Sequence, residues 1–224
     1  MKSKILIVVG IFLVSSVIMG CGSNTQEANE ETVIEQVDIM SDQPVVIAGD
    51  FKPFSVYTDK GSPSNHFIPS GWMGDNVEGI DIIRNDASTE NPHSGKTCIK
   101  IVYTSAASTG KRWVGIYWQN PAENWGNKKG GFDLTGAKKL TFWAKGEKGG
   151  ERIGEFKMGG ITGDYPDSDT AGIDSVFLTK EWKKYTIDLG GKDISYISGG
   201  FCWSANLDAN PNGCTFYMDD IVYE

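Results

Sequence analysis

The chain has 224 residues with 21 Lys+Arg against 29 Asp+Glu, a formal net charge of −8, and 11% aromatic residues. Setting aside Lys2 and Lys4 takes the charge from −8 to −10, and setting aside the six acids between residues 22 and 44 leaves −4 for the remainder. Nothing here offers a basic face to a phosphate backbone, so a nucleic-acid partner is excluded.

Residues 1–20 begin with Lys2 and Lys4, continue through the apolar run Ile5 to Val14, and end in Ser15-Ser16-Val17-Ile18-Met19-Gly20. A basic start, an apolar core too short to span a bilayer and a small-residue end describe a secretory signal. The junction Ile18-Met19-Gly20-Cys21 resembles the lipobox of bacterial lipoproteins. That resemblance implies that Cys21 becomes a lipid-bearing N-terminus, leaving the chain exported, anchored to a bacterial membrane and facing the extracytoplasmic side. An ordinary signal peptide and an uncleaved anchor are the alternatives. Residues 21–44 carry Glu27, Glu30, Glu31, Glu35, Asp38 and Asp42 and no basic residue. Low hydrophobicity with charge of one sign predicts a flexible tether.

Residues 45–224 are long enough for one domain with a sizeable core. They read as short runs of alternating apolar and polar residues punctuated by Gly, Asn, Asp and Pro, with no long helical period. The predicted strands are Val45 to Ala48, Ile80 to Arg84, Thr97 to Thr104, Trp113 to Gln119, Lys139 to Lys145, Glu151 to Met158, Ser175 to Leu178, Lys183 to Leu189, Gly200 to Ala205 and Thr215 to Tyr223. This pattern predicts an all-β fold, a two-sheet antiparallel β-sandwich of the jelly-roll kind. The segment Phe51 to Asp75, with His66 and Trp72, is too long for a simple connection and is expected to form an ordered lid.

The densest aromatic run is Trp113-Val114-Gly115-Ile116-Tyr117-Trp118-Gln119-Asn120-Pro121-Ala122-Glu123-Asn124-Trp125-Gly126. Aromatic rings beside amides suit a sugar, whose C–H face lies on a ring while its hydroxyls need new hydrogen-bond partners. If Val114 and Ile116 point inward, Trp113, Tyr117 and Gln119 point outward. The same alternation puts Leu140, Phe142, Ala144, Phe156 and Met158 in the core and turns Trp143, Lys145, Glu155 and Lys157 out. These residues are expected to form one aromatic-lined concave face, with Trp125 and Trp203 at its rim. Trp182 is assigned to the core. The competing reading is a second small core sealed under the lid.

Three segments share a grammar: Asp133-Leu134-Thr135-Gly136 through Leu140-Thr141-Phe142-Trp143-Ala144-Lys145-Gly146, Leu178-Thr179-Lys180-Glu181-Trp182 through Tyr185-Thr186-Ile187-Asp188-Leu189, and Thr215-Phe216-Tyr217-Met218-Asp219-Asp220-Ile221. Together they resemble the jelly-roll carbohydrate-binding modules with a galactose-binding-like fold, over most of residues 45–224. The resemblance implies a monomer that binds a polysaccharide or oligosaccharide without catalysis, on a concave sheet face. It also implies a structural calcium ion where the terminal strands meet, with Asp50 and Asp219 as ligands.

Apart from Cys21, three thiols remain, and an odd number permits at most one internal bridge. Cys202 and Cys214 flank a single connection and are the expected pair, with Cys98–Cys214 as the alternative. No Gly-x-Ser-x-Gly, His-Glu-x-x-His or Glu-x-Asp-x-x-Glu pattern occurs. Glu155 with Glu151, or Asp81 with Asp75, are the only carboxylate pairs considered for a jelly-roll hydrolase or lyase. A surface that meets a protein partner is the third reading.

Overall fold

A computed structural model describes residues 51–224. The signal, Cys21, the tether, the strand expected at Val45 to Ala48 and Asp50 lie outside the described residues.

Eleven strands follow in order: β1 (Phe54–Tyr57), β2 (Ile68–Gly74), β3 (Ile82–Ser88), β4 (Cys98–Tyr103), β5 (Trp113–Gln119), β6 (Lys139–Gly146), β7 (Arg152–Gly159), β8 (Thr170–Phe177), β9 (Lys183–Asp188), β10 (Gly199–Asn206) and β11 (Cys214–Tyr223). There is no helix among the described residues. One sheet has the order β3-β4-β11-β6-β9, with β1 paired to the far half of β11; the other runs β2-β5-β10-β7-β8. All strand pairs are antiparallel. This is the two-sheet jelly-roll sandwich expected from the strand pattern.

Period-two alternation builds the core. Leu140, Phe142 and Ala144 of β6 face Val114, Ile116 and Trp118 of β5 and Phe156 and Met158 of β7, all buried. Phe142 packs against Phe156 at 4.6 Å and Phe201 at 5.2 Å between ring centroids. Each fully buried side chain of this size contributes about 1.5–3 kcal/mol through removal of its surface from water.

Three expectations are corrected here. The segment Phe51 to Asp75 is not a lid: it supplies β1, which pairs with β11, and β2, the edge strand beside β5. Trp72 packs against the core with the Arg84 guanidinium 5.1 Å from its ring, and His66 stacks on Phe54 at 3.7 Å. Trp182 is not in the core; its Nε1 donates to the Asn91 carbonyl on the outer surface of the β9 side. Finally, β5 and β6 belong to different sheets, which divides the expected single aromatic face in two.

Candidate functional site

Strand register fixes what the outward face of the β2-β5-β10-β7-β8 sheet presents. One row across the strands reads Gly71, Tyr117, Cys202, Lys157 and Gly172. The next reads Met73, Gly115, Ser204, Glu155 and Asp174, and beyond it Trp113 lies opposite Asn206. Gly115 and Ser204, in mid-sheet, are the smallest side chains of the middle row. On one side of them stand Tyr117 and Lys157, on the other Trp113 and Asn206, so the middle row is a low strip across the strands, the candidate trough, with the Met73 side chain lying over Gly115. Trp113 and Tyr117 are four residues apart on one face of β5, about 13 Å along an extended strand.

Trp125 completes the Tyr117 bank. It is 43% exposed, and its ring meets that of Tyr117 edge-on at 5.9 Å. The loop carrying it is held rigidly. The buried Asn124 accepts from the amides of Gly126 and Lys128 through Oδ1, and its Nδ2 donates to the Asn120 carbonyl. Gln119 Nε2 donates to the Asn124 carbonyl at 2.8 Å, while Ser70 Oγ donates to Gln119 Oε1. Gly126 sits at φ +82, and a Cβ there would come within 2.0 Å of the Thr162 carbonyl oxygen. Only glycine fits this close approach. The backbone that carries Trp125 is therefore fixed before ligand arrives, which lowers the ordering cost of binding.

Tyr117 and Gln119 point outward but are covered, at 4% and 0% exposure. Tyr117 donates to the Gly159 carbonyl and packs with Ile161, Cys202 and Met73; burial pushes its phenol far above the ordinary range. It forms the base of the trough wall, and Gln119 braces the loop. Lys157 Nζ lies 5.6 Å from the Tyr117 ring centroid and 3.3 Å from Glu155 Oε2. Both charged groups are half-buried. The trough thus combines two tryptophan rings with carboxylate, ammonium, hydroxyl and amide groups, the inventory needed to stack a sugar ring and satisfy its hydroxyls.

Several expected site residues lie elsewhere. Trp203 is not on the rim: it is 0% exposed and packs edge-on against Phe216 at 4.9 Å in the core. Trp143 and Lys145 project from β6, on the outer face of the opposite sheet. There Lys145 lies 4.7 Å from the Tyr217 ring and 5.5 Å from Trp182, and Trp143 is stacked by His93. The carboxylates considered for catalysis also separate. Glu151 lies at the β6–β7 hairpin, away from the row of Glu155, while Asp75 and Asp81 spend their oxygens on the loop before β5.

The expected disulfide is not formed; Cys98, Cys202 and Cys214 are free. Cys202 faces the trough side beside Tyr117, whereas Cys214 packs into the core at the start of β11. Two side chains directed to opposite faces of different sheets cannot be bridged. Asp219 is the one member of the expected calcium pair that lies among the described residues. It is fully buried, its Oδ2 accepts from the amides of His93 and Ser94, and its Oδ1 accepts from that of Asp220. Burial pushes the Asp219 carboxyl up to about 6. Among the described residues no three His, Cys, Asp or Glu side chains converge on a metal position.

Signals that sequence reading missed are Met73, Ser204, Asn206 and Asp174. Ser204 and Asn206 follow from the alternation of β10 once Phe201, Trp203 and Ala205 are known to face inward.

No family model matches the chain, and no curated protein matches it. Among solved structures, a family 30 carbohydrate-binding module is similar, with a TM-score of 0.50 and 17% identity over 77% of this chain and 98% of that one. The family 30 module of a cellulosomal cellulase from Clostridium thermocellum gives 0.48 and 16% over 77% and 97%. A family 11 module from Clostridium thermocellum, in complex with a β-1,3-1,4-mixed-linked tetrasaccharide, gives 0.46 and 15% over 68% and 88%. The first of these likenesses establishes the jelly-roll fold and nothing about ligand.

Proposed function

We propose that this chain is a non-catalytic glycan-binding protein, exported and held by lipid on Cys21, that takes a polysaccharide or oligosaccharide strand across the trough of the β2-β5-β10-β7-β8 sheet. The single observation that carries this reading is the pair of exposed rings on one sheet face, Trp113 on β5 and Trp125 against Tyr117. Tryptophan is enriched among the residues that carry binding energy, and a backbone already fixed lowers the ordering cost of using it. Charge supports an uncharged ligand: Glu155 and Asp174 outnumber Lys157 in the trough, and the whole chain is acidic.

The test is binding of residues 45–224, which form a compact unit, to a panel of soluble polysaccharides by affinity electrophoresis and calorimetry. Retention by at least one neutral glycan, lost in Trp125→Ala and Trp113→Ala together, is the expected result. No retention by any glycan transfers the trough to a protein partner, and release of reducing ends would make the chain an enzyme.

A further inference from the structure

Met73 stands at the β2 end of the middle row, on the edge strand of its sheet. Its methyl group fills the space that Gly115 leaves: a Cβ on Gly115 would lie 2.8 Å from Met73 Cε. The side chain also packs against the cluster of Tyr117, Ile161 and Cys202 on the outward face, yet it stays half-buried. The other two methionines among the described residues, Met158 and Met218, are fully buried in the core.

Peroxide attacks sulfur, and exposure and thiolate character decide which sulfur. Cys98, Cys202 and Cys214 are buried, and burial holds each of them as the thiol. Among the described residues that leaves Met73 as the sulfur within reach of solvent. In the reaction the sulfur lone pair takes one oxygen of hydrogen peroxide: an S–O bond forms as the O–O bond breaks, and the thioether gives up two electrons. The proton on the transferred oxygen passes to the departing hydroxide, which leaves as water. A flexible apolar side chain becomes a polar one.

We propose that Met73 is a peroxide-modification site whose oxidation to the sulfoxide weakens glycan binding at the candidate trough, an inference that rests on the glycan reading above. The apolar seat against Tyr117, Ile161 and Cys202 no longer suits the oxidised side chain, which turns out over the strip between Trp113 and Tyr117 where a sugar ring lies. Methionine sulfoxide reductases reverse the modification, so the site can be reset.

The protein is treated with hydrogen peroxide, digested and mapped by mass spectrometry. Its retention by the neutral soluble polysaccharide that holds it most strongly in affinity electrophoresis is measured before peroxide, after it, and again after methionine sulfoxide reductases of both epimer specificities. Oxygen on Met73 ahead of Met158 and Met218, affinity lowered about fivefold or more, and recovery with the reductases are expected. Met73→Leu, compared with itself before and after peroxide, should show no change. That variant keeps Trp113 and Trp125, so damage to either ring would appear in it as well. Oxygen on Met158 or Met218 before Met73, unchanged retention by protein fully oxidised at Met73, or an equal loss in Met73→Leu overturns the proposal. Absence of retention by any glycan before peroxide is added overturns the glycan reading and the coupling with it, whereas the mapped order of oxidation tests Met73 in either case.

Discussion

His93 stacks on Trp143 with ring centroids 3.8 Å apart and an interplanar angle of 17°, so the tryptophan face a sugar would use on that sheet is already covered by the chain's own loop. The loop is tied down at several points. His93 Nδ1 lies 2.8 Å from Asp220, the amides of His93 and Ser94 donate to Asp219, and Glu90 pairs with Lys100. Trp182 meets His93 edge-on at 6.0 Å and donates to Asn91. Trp143 is therefore a docking platform for residues 90–94, a role that belongs to packing.

Trp143→Ala is accordingly expected to lower stability by about 1–3 kcal/mol, the range for a half-buried aromatic that loses a stacked partner. Glycan affinity should stay within about twofold of the parent, since the trough lies on the other sheet. Chemical denaturation and affinity electrophoresis on the same preparation separate the two effects. A large loss of binding with unchanged stability would return Trp143 to the site.

Trp125→Ala should behave in the opposite way. The ring is exposed, so stability is expected to change by no more than about 0.5 kcal/mol. Glycan affinity should fall at least tenfold, about 1.4 kcal/mol. Calorimetry measures the binding term directly. Gly126→Ala, which forces a Cβ against the Thr162 carbonyl, should weaken binding through displacement of Trp125 even though no contacting ring is removed.

The contrast between these two tryptophans marks where sequence reading stops. Alternation along β5, β6 and β7 assigns the inward residues correctly: Val114, Ile116, Phe142, Ala144, Phe156 and Met158 are all buried. It states which side of a strand a residue occupies, but not which sheet the strand joins. Trp143 and Tyr117 are both outward, and they are on opposite faces of the sandwich because β5 pairs with β2 and β10 while β6 pairs with β9 and β11. Strand β2 was hidden for another reason. Ile-Pro-Ser-Gly-Trp-Met-Gly contains a proline and two glycines, residues that read as a loop and are tolerated here because β2 is an edge strand with an irregular register at Pro69 to Gly71. Trp203 was expected at the rim, yet its position in the alternation with Phe201 and Ala205 directs it inward.

The three described thiols should be inert in the folded protein, and a reducing agent should leave its stability unchanged, because no disulfide joins them. Burial pushes Cys98 up to about 11 and Cys214 up to about 12, and drives Cys202 further, so none carries an appreciable thiolate fraction near neutral pH. Mass mapping without reduction should find Cys98, Cys202 and Cys214 unlinked. Iodoacetamide should modify all three after unfolding in guanidinium and almost none before. A peptide joining Cys202 to Cys214 would contradict the placement of these side chains on different faces.

The loop that brings the chain into β5 makes the protein's acid sensitivity predictable. Asp75 is fully buried; burial alone would raise its carboxyl, but the Thr109 hydroxyl and the amides of Lys111, Arg112 and Thr109 outweigh it and hold the group below its ordinary value of 3.8. Asp81 is lowered in the same way by the Ser108 hydroxyl and amide and the Val77 amide, again against burial. A carboxyl depressed in the folded state binds fewer protons there than in the unfolded chain at mildly acidic pH. Its contribution is therefore complete above about 3.8 and is lost as pH falls through the lower folded value. Stability should hold down to about pH 4 from these two groups and then drop. Asp75→Asn keeps the shape but turns one acceptor into a donor facing backbone N–H groups, so its denaturation midpoint at pH 7 should fall below that of the parent. The gap between variant and parent should narrow as pH is taken below 3.8, where the parent carboxyl is itself being protonated. Urea melts at pH 7 and pH 3 measure both gaps. A gap of the same size at the two values would show that the Asp75 charge does not hold the loop.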